Sequence, residues 1–113
     1  MAGISAIDEQ TIAKAVELLQ RAAPGATIIV FGSCARGEMN EHSDLDVLVV
    51  EPEVTNQWEE MVRLRRAMRP LRLAADVVVV SQKVFDQWAD TPNTILYEAA
   101  HEGRVFHATS PTR

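Results

Sequence analysis

Apolar and polar positions alternate along this chain in a way that marks helices and strands by turns. From about Asp8 to Ala23, Ile12, Ala15, Val16, Leu19, Ala22 and Ala23 recur at helical spacing, leaving Glu9, Lys14, Glu17 and Arg21 for solvent. Ser5 or Asp8 is placed to cap this helix, and Pro24-Gly25 ends it. Thr27 to Phe31, TIIVF, is a short run of β-branched and aromatic residues, apolar on both faces, as a strand covered on both sides requires. Gly32 then permits a tight turn, and Ser33 caps a one-turn helix through Gly37. A polar loop, Glu38 to Ser43, leads into a second strand from Asp44 to Val50.

The pattern continues with a helix from about Asn56 to Met68, whose buried stripe is Met61, Leu64, Ala67 and Met68 and whose stop is Pro70. Asp76 to Val80, DVVVV, is a third strand, and Ser81 to Ala89 a short helix carrying Val84, Phe85 and Trp88. Thr91-Pro92 reads as an N-cap with a first-turn proline. The helix that follows runs to Glu102 with Ile95, Leu96 and Ala99 inward, and Gly103 stops it. Val105-Phe106 adds a short edge strand. The order is that of an α/β fold, a small mixed sheet flanked by helices.

The second strand is amphipathic in an unusual sense. Asp44, Asp46, Leu48 and Val50 share one face, so that face changes from carboxylate to core along its length. That is the behaviour of a strand whose first end alone reaches an active site. Asp44 and Asp46 stand about 6.6 Å apart at their Cα atoms, given the strand rise. Two carboxylates there, beside a glycine turn that opens a helix, suit a metal-bound phosphate chain. The carboxylates offer hard oxygen ligands for Mg²⁺, and the turn offers backbone N–H groups for phosphate oxygens.

Composition narrows the class. The chain has 113 residues, the size of one domain over residues 1–113, and 47% hydrophobic residues, enough for an ordinary core. A net charge of −5 argues against a general nucleic-acid-binding surface. Five of the eleven basic residues, Arg63, Arg65, Arg66, Arg69 and Arg72, nevertheless gather in one segment, read as a solvated face or, more sharply, as a partner- or phosphate-facing patch. The single cysteine, Cys34, forms no intrachain disulfide, consistent with a reducing cytoplasm. No apolar run reaches membrane-spanning length, and the N-terminus lacks the pattern of a signal peptide. His42, His101 and His107 form no zinc pattern.

Gly32-Ser33, ten residues, then Asp44-Leu45-Asp46, with Asp76 opening the DVVVV strand, resembles the signature of the DNA polymerase β-like nucleotidyltransferase superfamily. The fuller string GSCARGEMNEHSDLDVLVV and the closing ILYEAAHEGRVF look like its minimal nucleotidyltransferase (MNT) branch, small domains that often act as the antitoxin of a HEPN-domain toxin. The resemblance implies a polymerase β-like fold and a Mg²⁺-dependent transfer of AMP from ATP to a hydroxyl, a tyrosine of the HEPN toxin. It implies that Asp44, Asp46 and Asp76 are catalytic and hold two Mg²⁺ ions. It implies that Gly32 and Ser33 cradle the phosphates. Arg36 either touches a phosphate or pairs with Glu38 or Glu41, and Ser43 either binds phosphate or caps the loop. Cys34 departs from the larger side chain common at that position in relatives. Tyr97 reads as a packing residue, with self-modification as the alternative. Two further functions remain open: an antitoxin that acts by occupying its toxin, and an enzyme that modifies a small-molecule hydroxyl.

Overall fold

The computed structural model describes residues 9–31, 45–71 and 75–107. Helix α1 covers Glu9–Ala22, strand β1 Thr27–Phe31, strand β2 Leu45–Glu51 and helix α2 Gln57–Ala67. A 3₁₀ turn at Arg69–Leu71 leads to strand β3, Ala75–Ser81. Helix α3, Gln82–Trp88, helix α4, Ile95–Glu102, and strand β4, Arg104–Phe106, complete the chain. The expected one-turn helix after Ser33 and the caps Ser5 and Asp8 lie outside the described residues.

The four strands form one mixed sheet in the order β3-β2-β1-β4. β1 runs antiparallel to β2 and β4, while β2 and β3 are parallel, joined through α2. This is the mixed sheet flanked by helices that the periodicities predict. Alternation along the strands divides the core in two. Ile28, Val47 and Val79 face a layer with Ile12 and Leu19 of α1 and Leu64 of α2. Ile29, Leu48 and Val50 face the other layer, with Leu96 and Ala99 of α4 and Phe85 of α3. Covering on both sides is why β1 to β3 read as nearly continuous apolar runs.

The boundaries have local causes. Gly25, at φ +90°, takes the left-handed backbone that turns the chain out of α1. Asn56 caps α2, its side chain accepting the Glu59 N–H at 3.0 Å. Pro70 sits in the 3₁₀ turn that stops α2. The predicted cap at Thr91 is corrected: α4 starts later, with Thr94 accepting the Tyr97 N–H at 3.1 Å. Asn93 adopts φ 70°, which no helix continues, so Thr91-Pro92-Asn93 is a turn, held by the Thr94 hydroxyl donating to the Thr91 carbonyl at 2.8 Å. The later start also corrects Ile95. Leu96 and Ala99 take the sheet-facing side, and Ile95, about 100° round the helix from Leu96, is 51% exposed.

One polar cluster closes the far end of β2. Arg63 ion-pairs with Glu60 and donates to the Ala22 carbonyl at 2.6 Å, tying α2 to the end of α1. Burial, then the hydrogen bond and negative charge of Glu60, push the Glu51 acid up to about 7, with Arg63 opposing. Hydrogen bonds from Arg63 and with Glu51 hold Glu60 below the usual carboxylate range. Because Glu51 is raised, its contribution to stability is complete below the unfolded value near 4.5 and is lost as pH rises through about 7. Glu51→Gln, permanently neutral, should therefore stabilise the fold at pH 8 by about 1 kcal/mol, a value reduced for the partial exposure of the group. The gain should fade toward pH 5. Thermal unfolding across that range checks this, and a gain independent of pH would reject the assignment.

Candidate active site

The carboxylates lie at one edge of the sheet. Because β1 runs antiparallel to β2, it ends where β2 begins; because β3 is parallel to β2, it begins there too. The register makes this concrete: Asp46 is opposite Phe31 on one side and Asp76 on the other. Alternation puts Phe31, Asp46 and Asp76 on the same face as Leu48 and Val80. Neighbouring strands are about 4.8 Å apart, so the two carboxylates are adjacent side by side in one row. Asp46 is half-buried and engaged by another group, and Asp76 is exposed. Phe31, only 6% exposed, stands beside the row as an apolar neighbour of Asp46.

Of the residues singled out in the sequence, the structure brings Asp46 and Asp76 together. Gly32, Ser33, Arg36, Ser43 and Asp44 lie outside the described residues, as do Cys34, Glu38, Glu41, His42 and Arg72. Gly32 follows Phe31, where β1 ends, and Asp44 precedes Leu45, where β2 begins. Among the described residues no three His, Cys, Asp or Glu side chains converge as a metal cluster. The donor set that is present, two carboxylates in register on one face, fits a hard divalent cation, since it offers only oxygen.

Other features stand apart from this edge. A cavity of about 440 Å³ lined by Thr27, Ile29, Val50, Phe85, Val105 and His107 lies at the opposite end of the sheet, where Thr27 pairs with Val50. Tyr97 is half-buried and stacks on His101 with ring centroids 4.0 Å apart, in agreement with a packing role. The arginine segment divides. Arg63 is built into the fold, whereas Arg65, Arg66 and Arg69 are exposed. The place of Phe31 beside the row was not anticipated; its signal was the single aromatic residue directly before Gly32.

A family model for the nucleotidyltransferase domain matches residues 12–103. The chain belongs to the nucleotidyltransferase domain family. The fold agrees. A Sulfolobus solfataricus protein provisionally assigned as a nucleotidyltransferase matches with a TM-score of 0.58 and 22% identity, over 86% of this chain and 77% of that one. A chain from the complex of the tri-AMPylated Shewanella oneidensis HEPN toxin with MNT antitoxin matches with a TM-score of 0.52 and 20% identity, over 91% of this chain and 74% of that one. No curated protein matches significantly. This nucleotidyltransferase domain contains no described helix long and apolar enough to cross a membrane.

Proposed function

We propose that this nucleotidyltransferase domain transfers AMP from ATP to a hydroxyl, a tyrosine of a HEPN-type toxin, and so neutralises that toxin. The observation that carries the reading is the in-register pair Asp46 and Asp76, on one face at the edge where β1 ends. The likeness in fold to the toxin–antitoxin complex supports the choice of partner.

Asp44 and Asp46 would hold Mg²⁺ against the triphosphate, with Asp76 completing a second site. Bound there, two ions supply charge neutralisation for the attacking and leaving oxygens. Asp76 also takes the proton of the attacking hydroxyl. That oxygen forms a bond to the α-phosphorus as the bond to the bridging oxygen of the departing pyrophosphate breaks. Gly32 and Ser33 cradle the phosphates, and Arg36 and Ser43 add contacts from the same segment. Positioning and charge carry the rate, because the protein forms no covalent bond itself.

Asp76→Asn separates this reading from neutralisation by occupation. Asp76 is exposed, and the apolar residues Val77, Val79 and Val80 that follow it anchor β3. The variant should bind the toxin nearly as well as wild type. It should fail to add AMP to it and fail to protect cells in co-expression, as read by intact-mass spectrometry of the toxin and by growth. Full protection without added AMP would leave occupation as the mechanism. AMP transfer by the wild type to a small hydroxyl compound but not to the toxin would indicate a small-molecule acceptor.

A further inference from the structure

We propose that Glu51, Glu60 and Arg63 form a proton-operated latch on α2. A proton on Glu51 holds the start of that helix against the end of β2, and its loss loosens the start while the rest of the fold stays closed.

The start of α2 has little apolar anchorage. Leu64 is the buried residue of the helix, and it lies past the middle. Before it, Trp58 is 71% exposed, Gln57 and Glu59 are exposed, and Met61 is only partly buried. Polar contacts therefore decide how firmly the first turns sit. One is the Gln57 amide, which donates to the Val79 carbonyl at 2.6 Å and contains no titratable group. The other is the contact of Glu60 with Glu51.

Glu51 ends β2, opposite Ser81 of β3 and next to Val50, which pairs with Thr27 of β1. Its Oε2 is fully enclosed, and no donor among the described residues reaches it. That environment suits a carboxylic acid and is costly for a carboxylate. The Arg63 guanidinium is already committed. It donates to both Glu60 oxygens, through Nε at 3.0 Å and through a second nitrogen, and its third nitrogen donates to the Ala22 carbonyl at 2.6 Å. Four carboxylates, Glu51, Glu53, Glu59 and Glu60, line a cavity of about 300 Å³ with that one guanidinium. From the other elements around it, β1 and β3 bring the uncharged Thr27 and Ser81. Near the end of α1, Arg21 is paired with Glu17. Lys83 belongs to α3, which packs on the opposite face of the sheet.

With Glu51 protonated, its acid O–H donates to Glu60, and the end of β2 is joined to α2. When the proton leaves, that bond is lost and two carboxylates meet beside one guanidinium. The enclosed oxygen then shares a charge with no donor to receive it. Relief comes from parting Glu51 and Glu60. β2 is held on both flanks, by β1 and β3, so the side that yields is the start of α2. That start has no buried residue before Leu64 and is tethered to β2 by the irregular stretch 52–56. Burial and Glu60 hold the Glu51 acid up at about 7. The latch is therefore fully closed below the unfolded value near 4.5 and opens as pH rises through about 7. It acts on the crossover helix between β2 and β3, the strands that carry Asp46 and Asp76.

Amide hydrogen exchange on the full chain, corrected for the intrinsic rate at each pH, tests this. The Glu60 N–H, bonded to the Asn56 carbonyl at 3.0 Å, and the amides of Met61 and Val62 are the reporters. Their protection should fall about fivefold between pH 6 and pH 8, the scale of a raised acid that is partly exposed. It should stay constant on small additions of denaturant, because a local opening exposes little surface. Glu51→Gln, neutral at every pH, should keep at pH 8 the protection that wild type has at pH 6. The carboxyl carbon signal of Glu51 should titrate over the same range as the protection. Equal wild-type protection at the two pH values overturns the latch, and so does an equal fall in Glu51→Gln. Exchange that follows denaturant as global unfolding does, or a Glu51 signal that titrates near 4.5, overturns it as well. Should the variant misfold, the pH series, the denaturant series and the carboxyl titration on wild type carry the same decision.

Discussion

Asp46→Asn should yield a folded protein whose nucleotidyl transfer is lower by about a thousandfold or more, the scale of removing one preorganised charge contact from a phosphoryl transition state. The residue sits on β2, one of the two inner strands, opposite Phe31 of β1 and Asp76 of β3. Asparagine keeps the shape and removes the charge that a divalent ion requires. The cost to stability should be small. Asp46 packs at the end of the strand, and the apolar residues that follow, Val47 to Val50, carry the core. Melting within a few degrees of wild type, combined with lost Mn²⁺ binding in titration without substrate, separates a site defect from unfolding. Undiminished transfer by the purified variant would remove Asp46 from the mechanism.

The parts of this site that could be read in advance are those where one residue contradicts its surroundings. Asp46 and Asp76 each interrupt an otherwise apolar strand, and an unexplained carboxylate beside a core is costly enough to need a reason. Their adjacency was a different matter. Val77 to Val80 shows no alternation, so nothing local fixes its register against β2. The pairing of Asp46 with Asp76 follows only once β3 lies parallel to β2 through α2. The α4 cap shows the limit in miniature. Thr91 before proline and Thr94 before isoleucine both satisfy the local rule, and the left-handed backbone at Asn93 decides between them. The Glu51 cluster needed tertiary structure outright, since Glu60 and Arg63 reach it from a separate helix. Gly32, Ser33, Arg36, Ser43 and Asp44 remain assignments of the sequence, outside the described residues.

Gly103→Ala should destabilise the fold by about 2 kcal/mol, the typical scale of forcing extra volume into a packed site. The sequence marks this glycine as the stop of α4, and its N–H does donate to the Ala99 carbonyl at 3.0 Å. The usual reason for glycine at such a stop is left-handed backbone, and here it does not apply, because φ is −84°. The constraint is space. A Cβ at Gly103 would stand 2.5 Å from the Ala99 carbonyl oxygen, 2.5 Å from Ile29 Cγ2 and 3.1 Å from the Val30 oxygen. Two of those neighbours are backbone and the third belongs to a buried residue of β1, so none can move cheaply. The close approach lets the chain leave α4 directly into β4, which pairs with β1 from Ile28 to Val30. Relief would have to shift β4 outward, so the damage should extend to that pairing. Thermal unfolding should show a fall of about 10 °C for a domain of this size, and amide exchange should accelerate at Arg104 to Phe106 before the rest of the sheet. A Gly103→Ala protein that melts within a degree or two of wild type, with β4 protected, would show that the site relaxes and that glycine is dispensable there.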